Sequence, residues 1–341
     1  MRLSATLRRE IDLPALGWGA ALIAPFVVVA ALTGDQVFLQ LCFLAVCLLI
    51  PAYQLLLPPL ATAVHTVATV ATCTLLFAAA AQPLVFVIVT ATSAITTIWL
   101  TRYGGRLRTL GTFFFIPALY LACELHELPD GTSELGRLVL LSPIAGGAVI
   151  AVELTRRWVS GIRAPMSEEH GLATSLLRGV EIGEAEGRWV THSVAVFVAV
   201  LVATAIAEAF DMDQRQWVIW SSITVITGDH RAAIGKFGIR ATGVAIGAPL
   251  GLLAGWLLPQ TQFVYSLALL ALLLTLLAIP RYPVAFTLRS FFTGLAAMAA
   301  GGAASIAESR VENVILGGII GVLALLVVAA LRRELPRRPV A

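Results

Sequence analysis

The sequence predicts an all-α polytopic membrane protein of about twelve transmembrane helices, arranged as two six-helix repeats of the same orientation. Three observations predict it. Of the 341 residues, 59% are hydrophobic and 13% charged, with mean hydropathy +0.90; soluble domains carry about 25% charged residues. Apolar runs long enough to cross lipid recur along the chain. Basic residues gather in alternate connections between those runs.

In chain order the runs are Leu13–Leu32, Val37–Leu57, Pro59–Ala80, Pro83–Leu100, Leu110–Leu125 and Leu138–Leu154. After a polar stretch come Trp189–Phe210, Arg215–Thr227, Phe237–Leu258, Gln262–Ile279, Ser290–Ala307 and Asn313–Leu331. Arg2, Arg8 and Arg9 precede the first run. That run is longer than a signal-peptide core, so it reads as the first spanning helix. Pro58-Pro59 and Gln82-Pro83 read as turns or kinks, because proline lacks the donor a helix interior needs. Arg215–Thr227 is short and is expected to extend beyond its apolar core.

The loop charges set the orientation. With the N-terminus inside, every basic residue except Arg137, Arg215 and Arg310 falls on the cytoplasmic side. The positive-inside rule then places both termini in the cytoplasm of a bacterial inner membrane. Weak matches keep register between the halves: Thr101-Arg102-Tyr103 with Pro280-Arg281-Tyr282, Gly34-Asp35-Gln36 with Met212-Asp213-Gln214, and Thr155-Arg156-Arg157 with Leu331-Arg332-Arg333. The predicted organisation is a first bundle over 1–154, a cytoplasmic linker over 155–188, a second bundle over 189–333 and a tail over 334–341. Ser167 is a candidate cap for a short helix in the linker.

Cys42, Cys47, Cys73 and Cys123 lie in apolar stretches without metal-ligand spacing, so neither a disulfide framework nor a metal site is expected. No phosphate-binding GxxxxGK[ST] loop occurs, which argues against ATP drive within this chain. No HExxH or GxSxG motif or paired intramembrane carboxylate suggests an enzyme. No cofactor and no nucleic-acid partner is implied.

The segment from Trp217 to Trp256 is the most informative. Gly243, Gly247, Gly251 and Gly255 recur every fourth residue, placing a small-residue face on one helix for close packing in lipid. Asp229, His230, Arg231, Lys236 and Arg240 crowd the preceding loop, Arg281 and Arg289 flank another, and Arg102, Arg106 and Arg108 occupy the repeat position. Arginine forks suit carboxylates. Phe113, Phe114 and Phe115, with Phe291 and Phe292, lie just deeper and would stack an aromatic ring. Arg240 and Arg289 are the foremost substrate contacts, joined by Arg281, Lys236, Phe291, Phe292, Phe114 and Arg108. Asp229 is the nearest acid to offset Arg240. His65, Asp229 and Glu208 are candidate proton carriers for exchange.

These residues also carry a resemblance. An aspartate and tryptophan opening a helix (Asp213, Trp217), a threonine four residues after a tryptophan (Trp220, Thr224), a short basic loop, and Arg240 three residues before a small-residue helix resemble the fusaric acid resistance/aromatic acid exporter superfamily. The resemblance covers Arg188 to Arg333 best, as a short form without the large cytosolic domain of longer members. It implies a secondary exporter of small organic anions, chiefly aromatic carboxylic acids, working beside a periplasmic adaptor protein or as a homo-oligomer. An anion channel of the same superfamily and a non-transporting component of an envelope complex are the alternatives.

Overall fold

A computed structural model describes residues 11–161, 184, 187–301 and 305–334, the side chains of 333 and 334 excepted. Arg2, Arg8, Arg9, Ser167, most of the predicted linker and the tail from 335 lie outside the described residues. The described chain is helical, with no strand.

Its helices are α1 (Leu13–Thr33), α2 (Val37–Leu55), α3 (Pro59–Ala79), α4 (Pro83–Ala94), α5 (Thr96–Trp99), α6 (Leu107–His126) and α7 (Gly131–Ser160). Then follow α8 (Trp189–Ala209), α9 (Gln216–Thr224), α10 (His230–Leu257), α11 (Gln262–Ala278), α12 (Tyr282–Ala299) and α13 (Ser305–Glu334). With α4, α5 and a 3-10 turn at Leu100–Arg102 counted as one kinked span, each predicted run has its helix. Among the described residues nine spans are long and apolar enough to cross a membrane.

Local chemistry sets the boundaries. Asp12 caps α1 by accepting from the Ala15 N–H at 3.0 Å. Gly34, at φ 71°, ends the helix in the left-handed region that glycine tolerates. Pro59 and Pro83 open α3 and α4 at positions where the missing N–H costs nothing, so both proline pairs are turns. Pro25, Pro51, Pro117, Pro143 and Pro249 sit inside helices, where neighbouring helices re-satisfy the freed carbonyls.

The eighth run departs from expectation. It does not extend; α9 has only nine residues, about 14 Å at 1.5 Å per residue. Beyond it, residues 225–229 form a break ending at Gly228 and Asp229. Non-helical backbone at membrane depth is tolerated where protein surrounds it, and Val225 and Ile226 are fully buried. Side chains supply the donors: the Arg108 guanidinium bonds the Ile226 carbonyl, and His192 Nε2 lies 2.8 Å from the Gly228 carbonyl.

Packing brings distant parts of the chain together. α1 packs on α2, α3 on α6 and α7, and α2 on α7; α8 packs on α9, α10 on α12 and α13, and α9 on α13. Across the middle of the chain, α4 lies on α8 and α11 on α1. One apolar core is continuous through both regions, from Leu41 and Phe115 to Val196, Ile219 and Val328.

The α10–α12 contact is the closest. A Cβ added at Gly247 would stand 2.3 Å from the Thr287 carbonyl oxygen, and one at Gly251 2.0 Å from that of Phe291. One at Gly255 would meet Met298 Cβ at 2.5 Å, and one at Gly243 would meet Phe286 at 2.9 Å. Gly294 answers from α12, facing the Ala248 carbonyl. The four-residue glycine spacing thus lets two backbones touch.

Candidate functional site: a cavity between the two helix sets

A cavity of about 410 Å³ lies among α2, α6, α9, α11, α12 and α13. Small-molecule sites run from roughly 300 to 1,000 Å³. Phe43, Tyr120, Trp217, Trp220 and Tyr265 supply its aromatic wall. Trp217 and Trp220 stack at 5.1 Å and 17°, and Tyr120 meets Trp217 edge-on at 5.9 Å. The polar lining is Gln36, Gln40, Glu124, Gln214, Ser266, Arg289, Thr293 and Arg310. Gln36, Leu128 and Gln214 carry its lining to the acidic loops that hold Asp35, Glu127 and Asp213.

Arg310 is the most informative wall residue. It is 3% exposed, and its guanidinium lies 3.7 Å over the Trp217 ring. Its Nε and Nη1 have no hydrogen-bond partner. Arg310 stands in the second turn of α13, where a charge costs less than the about 2.5–3.5 kcal/mol of a helix centre. The ring face offsets about 2 kcal/mol of that at a desolvated site. Two of its donors are left with nothing to accept them.

Arg289 lines the same cavity from α12. Its Nε donates to the Ala285 carbonyl at 3.1 Å, and its guanidinium rests between Tyr282 and Phe286 at 5.8 and 5.6 Å. Deeper toward the basic loops, Arg240 is 4% exposed. Its Nη2 donates to Ser221 Oγ at 2.7 Å and its Nη1 to Tyr282 Oη at 3.0 Å, with Phe286 4.4 Å from the guanidinium carbon. Lys236 Nζ stands 5.3 Å from the Tyr282 ring. Arg310, Arg289, Arg240, Lys236 and Arg108 form one basic cluster, with Arg289 and Arg240 near both Arg310 and Lys236, and Arg108 near Lys236. Among the described residues Arg310, Arg289, Arg240 and Lys236 have no carboxylate partner.

Other residues singled out from the sequence sit elsewhere. Asp229 does not offset Arg240. It is exposed and caps α10, accepting from the Ala232 N–H at 2.9 Å, and that bond holds its carboxyl below the usual carboxylate range. Phe114, Phe291 and Phe292 do not line the cavity: Phe114 packs on the main core, and Phe291 and Phe292 form an edge-on pair 5.2 Å apart in a smaller cluster with Ala268 and Leu295. Arg108 serves the broken backbone after α9, and Arg281 is exposed at the start of α12. Glu208 is ion-paired to Arg215. His65 is buried in α3, its ring near the Phe113 backbone without a well-formed hydrogen bond.

The sequence reading passed over Arg310, Glu124, Gln216 and the aromatic wall. Arg310 was assigned to an outer loop, although helix α13 begins about two turns before its apolar run. An arginine outside the basic side was the available signal.

The apolar helices define a multi-pass α-helical membrane protein with an aromatic cavity bordered by buried arginines. Residues 201–324 match the family model described as fusaric acid resistance protein-like, the superfamily that the tryptophan and arginine pattern resembles. The matched stretch runs from within α8 to within α13 and contains Trp217, Arg240, Arg289 and Arg310. No curated protein and no solved structure matches the chain.

Proposed function

We propose that the chain is a secondary transporter that exports small organic anions, chiefly aromatic carboxylates, across a bacterial inner membrane with both termini in the cytoplasm. The observation that carries this reading is Arg310: a buried cation over Trp217, with two unused donors, on the wall of an aromatic cavity. A carboxylate would accept from one of those donors, while the stacked tryptophans and Tyr120 would hold the ring. The matching family is described by fusaric acid, itself an aromatic carboxylic acid. The line through Arg289 and Arg240 to Lys236 is a route for the anion from the basic loops to the cavity. The electrical part of the proton-motive force drives export, supplying about 2.3 kcal/mol per charge per 100 mV.

The packing pattern supports two six-helix halves turning against each other. Counting α4 and α5 as one span, the pairs of spans one with two, three with five, two with six and three with six recur as seven with eight, nine with eleven, eight with twelve and nine with twelve. The cross-contacts recur too, spans four on seven and ten on one. The cavity lies between the halves, where transporters built from repeats place their substrate.

The test is flux into proteoliposomes. Radiolabelled benzoate should move saturably, with exchange accelerated by benzoate on the far side, and Arg289→Gln and Arg240→Gln should abolish it at normal expression. Unsaturable current without exchange would make the protein an anion channel. The absence of any flux, or full flux in both variants, would remove the assignment.

A further inference from the structure

Among the described residues Glu124 is the sole carboxylate on the cavity wall, and the route described above does not use it. It stands in the last turn of α6, where Gln216 Nε2 donates to its Oε1 at 3.0 Å and the Tyr120 hydroxyl is a second neighbour. No lysine or arginine pairs with it among the described residues. Arg215, the nearest basic residue in sequence on α9's approach, is spent on Glu208.

The charged and titratable groups around it are few. Tyr120, Cys123 and Glu127 belong to its own helix region, and His126 packs edge-on against Phe77 at 5.7 Å. Tyr265 faces it from α11, Arg310 reaches Tyr120 from α13, and Arg289 lines the same cavity from α12. Arginine stays charged across the working pH range. Within the cavity, then, one carboxyl changes charge while two cations do not.

Building on the anion-transport reading, we infer that Glu124 couples proton binding to anion binding in this cavity. The physical chemistry fixes the sign. With Glu124 ionised, an entering carboxylate meets Arg310 and Arg289 but also a like charge on the same cavity wall. A proton on Glu124 removes the repulsion, and its hydroxyl becomes a donor. Linkage makes the relation reciprocal, so anion binding draws a proton onto Glu124. Protonation therefore tightens the cavity's hold on the anion; it tunes affinity, while the electrical potential and not the proton gradient drives the anion out. Neither His65, Asp229 nor Glu208 can do this, because none of them lines the cavity.

The experiment is calorimetric titration of benzoate into the purified full chain in nanodiscs between about pH 5.5 and 8, where benzoate, like other carboxylates, stays ionised. The affinity should rise about tenfold from the alkaline to the acidic end, within the usual range of such couplings. Heats in buffers of different ionisation enthalpy should reveal proton uptake with each benzoate bound. Glu124→Gln should bind at pH 8 as wild type binds at pH 5.5, with a flat profile and no proton uptake. Glu127→Gln and His126→Gln should keep the wild-type profile. Benzoate binding that is independent of pH and takes up no proton in wild type overturns the coupling role while leaving the anion site standing. A Glu124→Gln variant that keeps the wild-type slope does the same. No binding at any pH in either protein sinks the coupling and the anion site together. If Glu124→Gln fails to fold, proton uptake by wild type decides the matter.

Discussion

Replacing Arg310 by methionine keeps much of the side chain's volume against Trp217 and deletes the charge. Two effects follow. Arg310 Nε and Nη1 are unpartnered and lie on opposite edges of the guanidinium, so one bound carboxylate gains one of these bonds anew. A hydrogen bond to a charged group contributes about 1.5–3 kcal/mol. At about 1.4 kcal/mol per factor of ten, benzoate binding should weaken roughly 10- to 100-fold. The unliganded protein should change little. Arg310 is 3% exposed but stands in the second turn of α13, where removing it relieves less than the about 2.5–3.5 kcal/mol of a helix centre. Loss of the contact 3.7 Å over Trp217 returns about 2 kcal/mol. The balance leaves Arg310→Met close to the wild type in stability. Calorimetric titration measures the first effect, and thermal unfolding with and without benzoate measures the second. Wild-type affinity in Arg310→Met would refute the reasoning, and so would a marked fall in stability without ligand.

Other outcomes follow from the same geometry. Gly251→Leu forces α10 off the Phe291 carbonyl and should cut the folded yield sharply in fluorescence size-exclusion, whereas Gly238→Ala, with open space at its Cβ, should fold normally and gain a few tenths of a kcal/mol. Glu153 is 3% exposed and holds Arg156 at 2.6 Å and Arg157 at 2.8 Å; Glu153→Ala should lose about 3 kcal/mol, read as a lowered unfolding temperature. Asp229 titrates below its ordinary value of 3.8. Its stabilising charge is therefore present above that pH and lost as pH falls through the lowered value. Asp229→Asn should blunt only that acid-side loss in a thermal-melt series.

Much of the architecture is legible because lipid imposes simple rules. The run Leu13–Leu32 becomes the helix Leu13–Thr33 almost residue for residue. The prolines at 59 and 83 open helices as their missing donors demand. Gly243, Gly247, Gly251 and Gly255 disclose their contact face through spacing alone. Arg240 and Arg289 are conspicuous as charges entering apolar runs. What stays hidden depends on pairing across the fold. Glu124 closes an apolar run and reads as a boundary, and only the approach of Gln216 and the cavity give it meaning. The bond from Arg108 to Ile226 joins residues far apart in the chain, so Arg108 reads as one more orienting charge. Phe291 and Phe292 sit near the right arginine but face away from the space, because Phe291's backbone is committed to Gly251.

The backbone contact between α10 and α12 has a mechanical consequence. Carbonyls that meet glycine Cα atoms with no side chain between them leave no layer that can shear. Arg240 and Arg289 are therefore mounted on one stiff beam, and their spacing stays constant through any change of shape. Arg310 and Trp217 ride on a different pair of helices, so a transport cycle of the kind proposed would open or narrow the gap between Arg289 and Arg310.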